Sequence, residues 1–566
     1  MGTRRGTGAQ MLVMALALVV STAAGAQSAP TSLSPPFSVP LLKPIPKHGP
    51  SGAAATAAAA RAANAASVSA GVSSAAALAA NNPRTPGGGT WQPLANQPNF
   101  LDEIECAGAA NPLLLTDGSV IVQNGGCPSW WRLAPDARGS YVNGTWSQIA
   151  SLPSGYSPLY HSSAVLPDGR VIIMGGEYNF FNPVWTNLGA IYDPHTDFWT
   201  PLAPPAGWTT IGDAQGVVLP NGMFMQANCC TSQAALLNSA TLTWTATGTG
   251  KYDPNDEEGW ILLPSGQVLA VDAYVPIAPF PYIPNGTNSE LYSPSTGHWH
   301  SAGSTRVQLW DSAAACGGLA VASFELGPGV LRPDGTVFYT GANSCGAGHT
   351  AIYDSYTGSW RPGPDFPEGL DIADGPAALL PNGHVLVNAS PGIFNTPSYF
   401  FEWDGERLVP VPAPPNAVND SSYVANMLVL PTGQILFTDF SDDVEIYTSP
   451  GHPDPAWAPS IVKAPDTLEP GCSYEIAGFL FNGMSQGAAY GDDVQAATNF
   501  PIVRITNRAS GHVFFGRTHD HSSMAVANRG LVSTHFDVPA TQERGPSDLV
   551  VIANGIASEP VFVLVR

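Results

Sequence analysis

A short turn that ends in glycine recurs seven times along the chain and limits the folds available to it. Each copy lies between two apolar runs, such as Val171–Met174 after the second copy. Two apolar strands around an Asp-Gly or Asn-Gly turn form a β-hairpin. The sequence therefore predicts seven hairpins, whose turns end at Gly118, Gly169, Gly222, Gly266, Gly335, Gly383 and Gly433.

A tryptophan strand alternates with these hairpins. The tryptophans are spaced 43 to 61 residues apart, at Trp91, Trp146, Trp199, Trp244, Trp299, Trp360 and Trp403. A four-stranded propeller blade needs about 40 to 50 residues, so the two repeats predict a seven-bladed kelch-type β-propeller. Trp91 precedes the first turn, and no such strand follows the seventh. We therefore expect the Trp91 strand to complete the last blade.

Composition agrees with an all-β fold and excludes two classes of partner. The 59 glycines and 54 prolines suit many short strands joined by turns rather than helices. The net charge of −22 excludes nucleic acid and anionic membrane surfaces as partners, because both need clustered positive charge. A small-molecule or carbohydrate substrate is the expected partner, and the chain is expected to be a monomer.

The sequence divides into four predicted parts. Residues 1–26 have the basic, apolar and small-residue order of a signal peptide, with an uncleaved anchor as the alternative. Residues 27–89 are a low-complexity linker rich in Pro, Ser and Ala. The propeller is predicted over 90–455 and an immunoglobulin-like β-sandwich over 456–566. These features predict a secreted or periplasmic protein without a transmembrane segment.

Seven cysteines bear on the predicted export. An oxidising compartment allows disulfides, and nearness in sequence favours Cys106–Cys127 and Cys316–Cys345. The adjacent Cys229 and Cys230 are open to three interpretations: a disulfide with each other, two thiols, or partners of other cysteines. The odd number leaves at least one thiol without an intrachain partner.

Equivalent positions in successive blades carry ionisable side chains. The innermost strand of a blade lines the channel and leads into the glycine turn, so its first residues lie seven or eight positions before that turn. These positions hold Tyr160 beside His161, Asp213, Glu257 with Glu258, Glu325, Asp374 and Tyr423, whereas the first blade has Ala109. Carboxylates that converge on one axis raise each other's pKa or hold a metal ion. The alternative is that they cap turns.

A histidine-containing stretch in the predicted sandwich is a second candidate. His519 and His521 lie two residues apart after a strand, so both imidazoles would face one side of an extended segment. Two such imidazoles can ligate a metal ion. The alternative is a surface loop without a ligand.

This arrangement resembles the galactose oxidase and glyoxal oxidase family of copper radical oxidases over residues 90–566. The resemblance implies copper held by Tyr160, Tyr423 and His519 or His521, with His161 as a substitute ligand. It also implies a Tyr160 radical linked to Cys106 beneath the aromatic ring of Tyr178. Val424 stands where the family places a second histidine, so the ligand set is one short.

Three functions remain open. A copper oxidase would convert an alcohol, aldehyde or sugar with O₂ to H₂O₂. A glycan-cleaving enzyme would use the pocket acids Asp213, Glu257, Glu325 and Asp374 as acid and base. A glycan-binding or surface protein would catalyse nothing and would hold calcium or a cationic ligand in the acidic ring.

Overall fold

The computed structural model describes residues 88–100, 103, 106–273, 286–312, 314–316, 323–367 and 369–566. All of them belong to one compact unit, Ser38–Arg566. The signal peptide and all but the last two residues of the linker lie outside the described residues. Among the described residues, no helix is long and apolar enough to cross a membrane.

The described part of the chain is all-β, as predicted, and its strands pair antiparallel except for Thr467–Leu468, which runs parallel to Val561–Val565. Sheets 1 to 3 contain, in order, Ala109–Leu114, Val120–Asn124, Trp130–Ala134 and Thr145–Ile149; Ser162–Val165, Val171–Met174, Gly189–Asp193 and Phe198–Pro201; and Gly216–Val218, Phe224–Ala227, Ala234–Asn238 and Thr243–Thr247. Pro158–Leu159, Tyr178–Asn179 and Asn182–Pro183 form a small separate sheet. The first of these strands precedes sheet 2 in the chain, and the other two lie between its second and third strands.

Sheets 4 to 6 have the same strand order. They contain Trp260–Leu262, Val268–Val271, Asn288–Ser293 and His298–Ser304; Gly329–Leu331, Thr336–Thr340, Thr350–Asp354 and Ser359–Pro362; and Ala377–Leu379, Val385–Pro391, Tyr399–Trp403 and Leu408–Val411. Two short strands, Leu370–Asp371 and Ala488–Ala489, extend sheet 6. The 3₁₀ helices of the described residues are Ala314–Cys316, Pro415–Val418, Ser422–Val424 and Pro455–Trp457.

Sheet 7 combines strands from distant parts of the chain. It contains Asn426–Val429, Ile435–Thr438, Glu445–Thr448 and the amino-terminal strand Thr90–Pro93. Trp91 lies opposite Tyr447, which confirms the expected pairing of the Trp91 strand with the sheet that contains the seventh turn. This pairing joins the first described strand to the last of these sheets, so Thr90–Pro93 covers the edge of Glu445–Thr448 and becomes the outer strand of sheet 7.

The first strands of sheets 1 to 7 contact one another in cyclic order, and the first strand of sheet 7 contacts that of sheet 1. Every turn glycine of the repeat has a positive φ, as for Gly169 at 83° and Gly222 at 82°. Glycine adopts this conformation without steric cost, which explains its recurrence there. The repeated tryptophans join neighbouring sheets: the Trp199 indole donates to Ala150 O and the Trp244 indole to Ala203 O.

The carboxy-terminal strands form a nine-stranded sheet with a core of its own. Its order is Ser460–Lys463, Ser473–Phe479, Val532–Asp537, Val513–His519, Ile502–Asn507, Gly545–Ala553, Val561–Val565 and Thr467–Leu468, and Ile556–Ala557 pairs with Gly545–Ala553. Between Phe479 and Ile502 the chain leaves this sheet. Residues 486–495, which we name the central segment, run among the first strands of sheets 2, 4 and 6.

Three contacts fix the central segment. The Leu262 amide donates to Gln486 Oε1 at 2.7 Å. Ala488–Ala489 pairs with the first strand of sheet 6. The Val494 amide donates to His161 O at 3.1 Å. A segment of the carboxy-terminal part therefore lies against the first strands of sheets 4 and 6 and against His161, just before the first strand of sheet 2.

Candidate functional site

Five buried carboxylates converge where the first strands of sheets 3 to 6 begin. Two groups have ligand oxygens that all lie within 4.8 Å of one another: Asp213, Glu257 and Asp492, and Glu257, Glu325 and Asp374. We name these five residues the carboxylate ring. Each is at most 6% exposed. Glu257 belongs to both groups and therefore links them.

The backbone before these strands repeats an unusual conformation. Tyr160, Glu257 and Asp374 have positive φ values of 49°, 56° and 56°, although none of them is glycine. The residues just before Asp213 and Glu325, Gly212 and Phe324, have φ values of 69° and 66°. Non-glycine residues in the left-handed region are uncommon and cluster at functional sites. The same local turn thus precedes the first strands of several sheets.

The charge of the ring favours a bound cation. Several carboxylates brought together and removed from water repel one another unless protons or a cation compensate them. Oxygen ligands from flexible carboxylates are what Ca²⁺ prefers, and it takes six to eight of them. The donor chemistry of the ring therefore fits a hard divalent cation, and the metal-binding role expected for Asp213, Glu257, Glu325 and Asp374 stays a prediction.

The two predicted copper tyrosines line one small cavity beside the ring. Tyr160 and Tyr423 share this tyrosine cavity with His161 and Tyr490. The Tyr490 hydroxyl donates to Tyr423 O at 2.6 Å. His161 has Gln123 Oε1 at 3.0 Å from Nε2 and Ser162 O at 3.2 Å from Nδ1. Burial lowers the pKa of His161 to about 4, so its imidazole is neutral at neutral pH.

The residues present do not fit the copper radical group that the resemblance implies. Cys106 is bonded to Cys127, so its sulfur is not available for a link to Tyr160, and the predicted catalytic role of Cys106 is wrong. Tyr178 meets Tyr160 edge-on, with ring centroids 6.1 Å apart and planes 65° apart, rather than stacking over it. Val424 offers no ligand atom.

His519 and His521 do not line the tyrosine cavity, so the structure does not bring them together with Tyr160 and Tyr423 as one copper site. The strand Val513–His519 brings these residues to the glycine-turn end of sheet 2, where the His521 amide donates to Pro167 O. His519 contacts Asp520 Oδ2 at 2.8 Å and Asp537 Oδ1 at 3.2 Å. Burial, first of all, lowers the pKa of His521 to about 3.

Sequence reasoning missed the contributions of the central segment. Tyr490 lines the tyrosine cavity and Asp492 completes one group of the carboxylate ring. An added Cβ on Gly491 would lie 1.8 Å from Asp374 Oδ1, which shows how closely the segment approaches the ring. The signal in the sequence was the polar run from Tyr490 to Asp493, which precedes the apolar strand Ile502–Asn507.

Glu258, predicted beside Glu257 at the channel, belongs to a different cluster. Its carboxylate lies 2.8 Å from the ammonium of the buried Lys251. Burial raises the pKa of Glu258 well above its usual range. The backbone turns at Glu257, whose φ is positive, and the two side chains enter different clusters: Glu257 lies in the ring and Glu258 meets Lys251.

The disulfide predictions agree with the structure. Cys106–Cys127 and Cys316–Cys345 are paired, and Cys229 is bonded to Cys230. Cys472 is an exposed free thiol.

Comparisons with known proteins give limited overlap. No protein-family model matches the chain. The chain is 31% identical over 86 residues, 15% of its length, to the "Kelch-like protein terF" of Aspergillus terreus, and the match spans 18% of that protein. A fungal alcohol oxidase of the AA5 family in complex with copper is structurally similar, with TM-score 0.46 and 13% identity over 85% of this chain and 100% of that one. A streptogramin B lyase gives TM-score 0.42 and 10% identity over 64% and 98% of the two chains.

Proposed function

We propose that this chain is an exported protein that binds a hard divalent cation, calcium in the first place, in the carboxylate ring. Sheets 1 to 7 are the blades of a seven-bladed kelch-type β-propeller over 90–455, and 456–566 form an immunoglobulin-like β-sandwich. The bound ion stands at one mouth of the channel and presents a positive centre to a small-molecule or carbohydrate ligand. The protein acts as a monomer outside the cytoplasm, after removal of residues 1–26.

The convergence of five buried carboxylates from five chain segments carries this proposal. Four come from equivalent positions of sheets 3 to 6, and the central segment supplies Asp492. Burial makes charge repulsion expensive, so a divalent ion stabilises the folded chain by compensating it. The propeller assignment is supported by the cyclic contacts of the seven first strands.

The geometry favours metal binding over glycan cleavage by the same acids. Each group brings three carboxylates together in one cluster, whereas glycan cleavage uses one pair of carboxyl groups that flank the scissile bond. The ring acids are also buried, which suits an enclosed ion better than a polymeric substrate.

Calcium titration of the oxidised, metal-free chain tests the proposal. We expect calorimetry to give one tight site, and Ca²⁺ at about 100 times its Kd to add about 2.7 kcal/mol to the free energy of unfolding. Glu257→Gln removes the ligand shared by both groups and should weaken Ca²⁺ binding by about tenfold or more. Mg²⁺, Mn²⁺ and Cu²⁺ are titrated in parallel.

Glu258→Gln is the matched control. It changes the neighbouring buried glutamate, whose carboxylate faces Lys251 rather than the ring, so Ca²⁺ affinity should be unchanged. Equal Ca²⁺ affinity in wild type and Glu257→Gln, or no binding at all, would overturn the proposal.

Oxidation of an alcohol or aldehyde is a second candidate function. It is supported by the cavity that Tyr160 and Tyr423 share with His161, and the similar fungal oxidase is described as binding copper. The missing thioether and second histidine weigh against it. The reaction would take two electrons and two protons from the alcohol, or from the hydrate that the aldehyde forms with water, and pass them to O₂, giving H₂O₂.

An H₂O₂ assay over alcohols, aldehydes and sugars, with copper-loaded chain, tests this candidate. Activity that depends on copper and is lost in Tyr160→Phe would support it. Activity equal in wild type and Tyr160→Phe, or absent from both, would exclude a redox role for Tyr160.

A further inference from the structure

The adjacent cysteines Cys229 and Cys230 lie in a turn that other chain segments hold in place. The turn follows the strand Phe224–Ala227 of sheet 3. The Cys229 amide donates to Ile211 O at 2.9 Å, and the Cys230 amide donates to Asn255 O at 2.9 Å. These backbone bonds do not depend on the sulfur–sulfur bond. The two sulfur atoms therefore stay on one anchored turn when that bond is broken.

A carboxylate completes a three-donor group at this turn. Asp256 Oδ1 lies 3.8 Å from Cys229 Sγ. The ligand atoms of Cys229, Cys230 and Asp256 all lie within 4.8 Å of one another. Asp256 and Cys229 are buried, whereas Cys230 is partly exposed, so an ion can reach the group from the solvent side.

We propose that the reduced chain binds a thiophilic divalent cation, of the Zn²⁺ class, through Cys229, Cys230 and Asp256. A dithiol reductant transfers two electrons and two protons to the disulfide and is itself oxidised to a cyclic disulfide. The cation then displaces the two thiol protons and forms two metal–sulfur bonds. In the oxidised chain the two sulfurs are bonded to each other and the site is closed.

The donor set separates this site from the carboxylate ring. Thiolates select soft or borderline cations such as Zn²⁺ and Cd²⁺, whereas carboxylate oxygens alone select hard ones such as Ca²⁺. Asp256 is the neighbour of the ring residue Glu257, and the nearby negative charge attracts a cation to both sites. Three protein ligands leave one position of a tetrahedral Zn²⁺ ion open for water or a small ligand.

Cadmium titration of the reduced and oxidised full chain tests the proposal. Cd²⁺–thiolate bonds absorb in the ultraviolet, so the readout reports sulfur ligation and not carboxylate binding. We expect one more equivalent of Cd²⁺ bound with this absorption after reduction and removal of the reductant. Binding should release two protons per ion and weaken as the pH falls. Asp256→Asn should keep the absorption and weaken Cd²⁺ binding by about tenfold.

Two variants identify the cysteines responsible. Cys106 and Cys127, beside Glu103, are the other cysteine pair near a carboxylate among the described residues. They are 21 residues apart, so no single turn holds both sulfur atoms after reduction. The double variant Cys229→Ser with Cys230→Ser should lose the extra equivalent. The double variant Cys106→Ser with Cys127→Ser should keep it. An extra equivalent that follows Cys106 and Cys127, or no gain on reduction, would overturn the proposal.

Alkylation of the reduced wild type provides a measurement that needs no variant. Bound Cd²⁺ should protect Cys229 and Cys230 from an alkylating reagent, as read by peptide mass spectrometry, and leave Cys472 reactive. Equal alkylation of Cys229 and Cys230 with and without Cd²⁺ would also contradict the proposal. Calcium binding is measured on the oxidised chain, so its result is independent of this one.

Discussion

Lys251 is a fully buried lysine whose ammonium meets four carboxylates, those of Asp253, Glu258, Asp272 and Glu290, at 2.5 to 3.5 Å. Burial raises the pKa of Glu258 and Asp272 well above the usual range, so bound protons as well as the Lys251 ammonium reduce the negative charge of the cluster. Removing one partner of a buried ion cluster leaves uncompensated charge. We expect Lys251→Met to lower the free energy of unfolding by about 3 kcal/mol or more in denaturant titration.

Lys463→Met is the control for this prediction. Lys463 pairs with Glu475 at 2.6 Å, but both side chains are largely exposed, at 66% and 41%. An exposed pair contributes little to stability, because solvent screens it. A loss at Lys251 no larger than that at Lys463 would contradict the role given to the buried cluster.

At the level of single residues, sequence reasoning succeeded where a repeat fixed the position. Counting back from each glycine turn found Asp213, Glu257, Glu325 and Asp374, because equivalent residues of repeated strands point to one centre. It failed for His519 and His521, because no repeat places the carboxy-terminal strands relative to sheets 1 to 7. The imidazoles alone suggested these two residues as copper ligands, but the structure places them at the glycine-turn end of sheet 2, outside the tyrosine cavity.

The central segment is the element that brings the carboxy-terminal part to the carboxylate ring. Its Gly491 leaves no room for a side chain, since a Cβ would lie 1.8 Å from Asp374 Oδ1. We expect Gly491→Ala to displace the Asp374 carboxylate or the segment itself, and so to weaken Ca²⁺ binding about tenfold, or 1.4 kcal/mol. Calorimetric titration of the oxidised chain measures this effect.

Gly530→Ala is the corresponding control for the segment. Gly530 is exposed, and an added Cβ would lie 3.1 Å from its nearest neighbour, Asn528 Oδ1. This oxygen is at the end of a side chain that can move. Calcium affinity should be unchanged in this variant. If Gly491→Ala also left the affinity unchanged, Asp374 and the central segment would not be coupled through this contact.

The central segment also shows which elements the sequence could predict. The hairpins have an alternating or continuous apolar pattern bounded by glycine turns, and such patterns identify strands directly. The central segment has one two-residue strand and otherwise irregular backbone. Its position depends on contacts with Leu262, His161 and the strand Ala377–Leu379, which lie more than 100 residues earlier in the chain.

For the whole molecule, the strand around Trp91 joins the amino-terminal end of the described chain to sheet 7. The Trp91 indole donates to Pro412 O at 2.6 Å, and its ring contacts Phe400, Phe437 and Tyr447. Trp91→Ala removes these contacts and should lower the free energy of unfolding by about 2 to 4 kcal/mol. It should also speed amide hydrogen exchange in Glu445–Thr448, whose edge the strand covers.

Trp244→Ala separates loss of a tryptophan from loss of closure. Trp244 is also partly buried and donates to Ala203 O at 2.8 Å, but its strand pairs with Ala234–Asn238, a neighbour in sequence. This variant should lose a similar amount of stability and speed exchange within sheet 3, while Glu445–Thr448 stays protected. Faster exchange at Glu445–Thr448 in both variants, or in neither, would show that the Trp91 strand does not hold the amino-terminal end of the described chain to sheet 7.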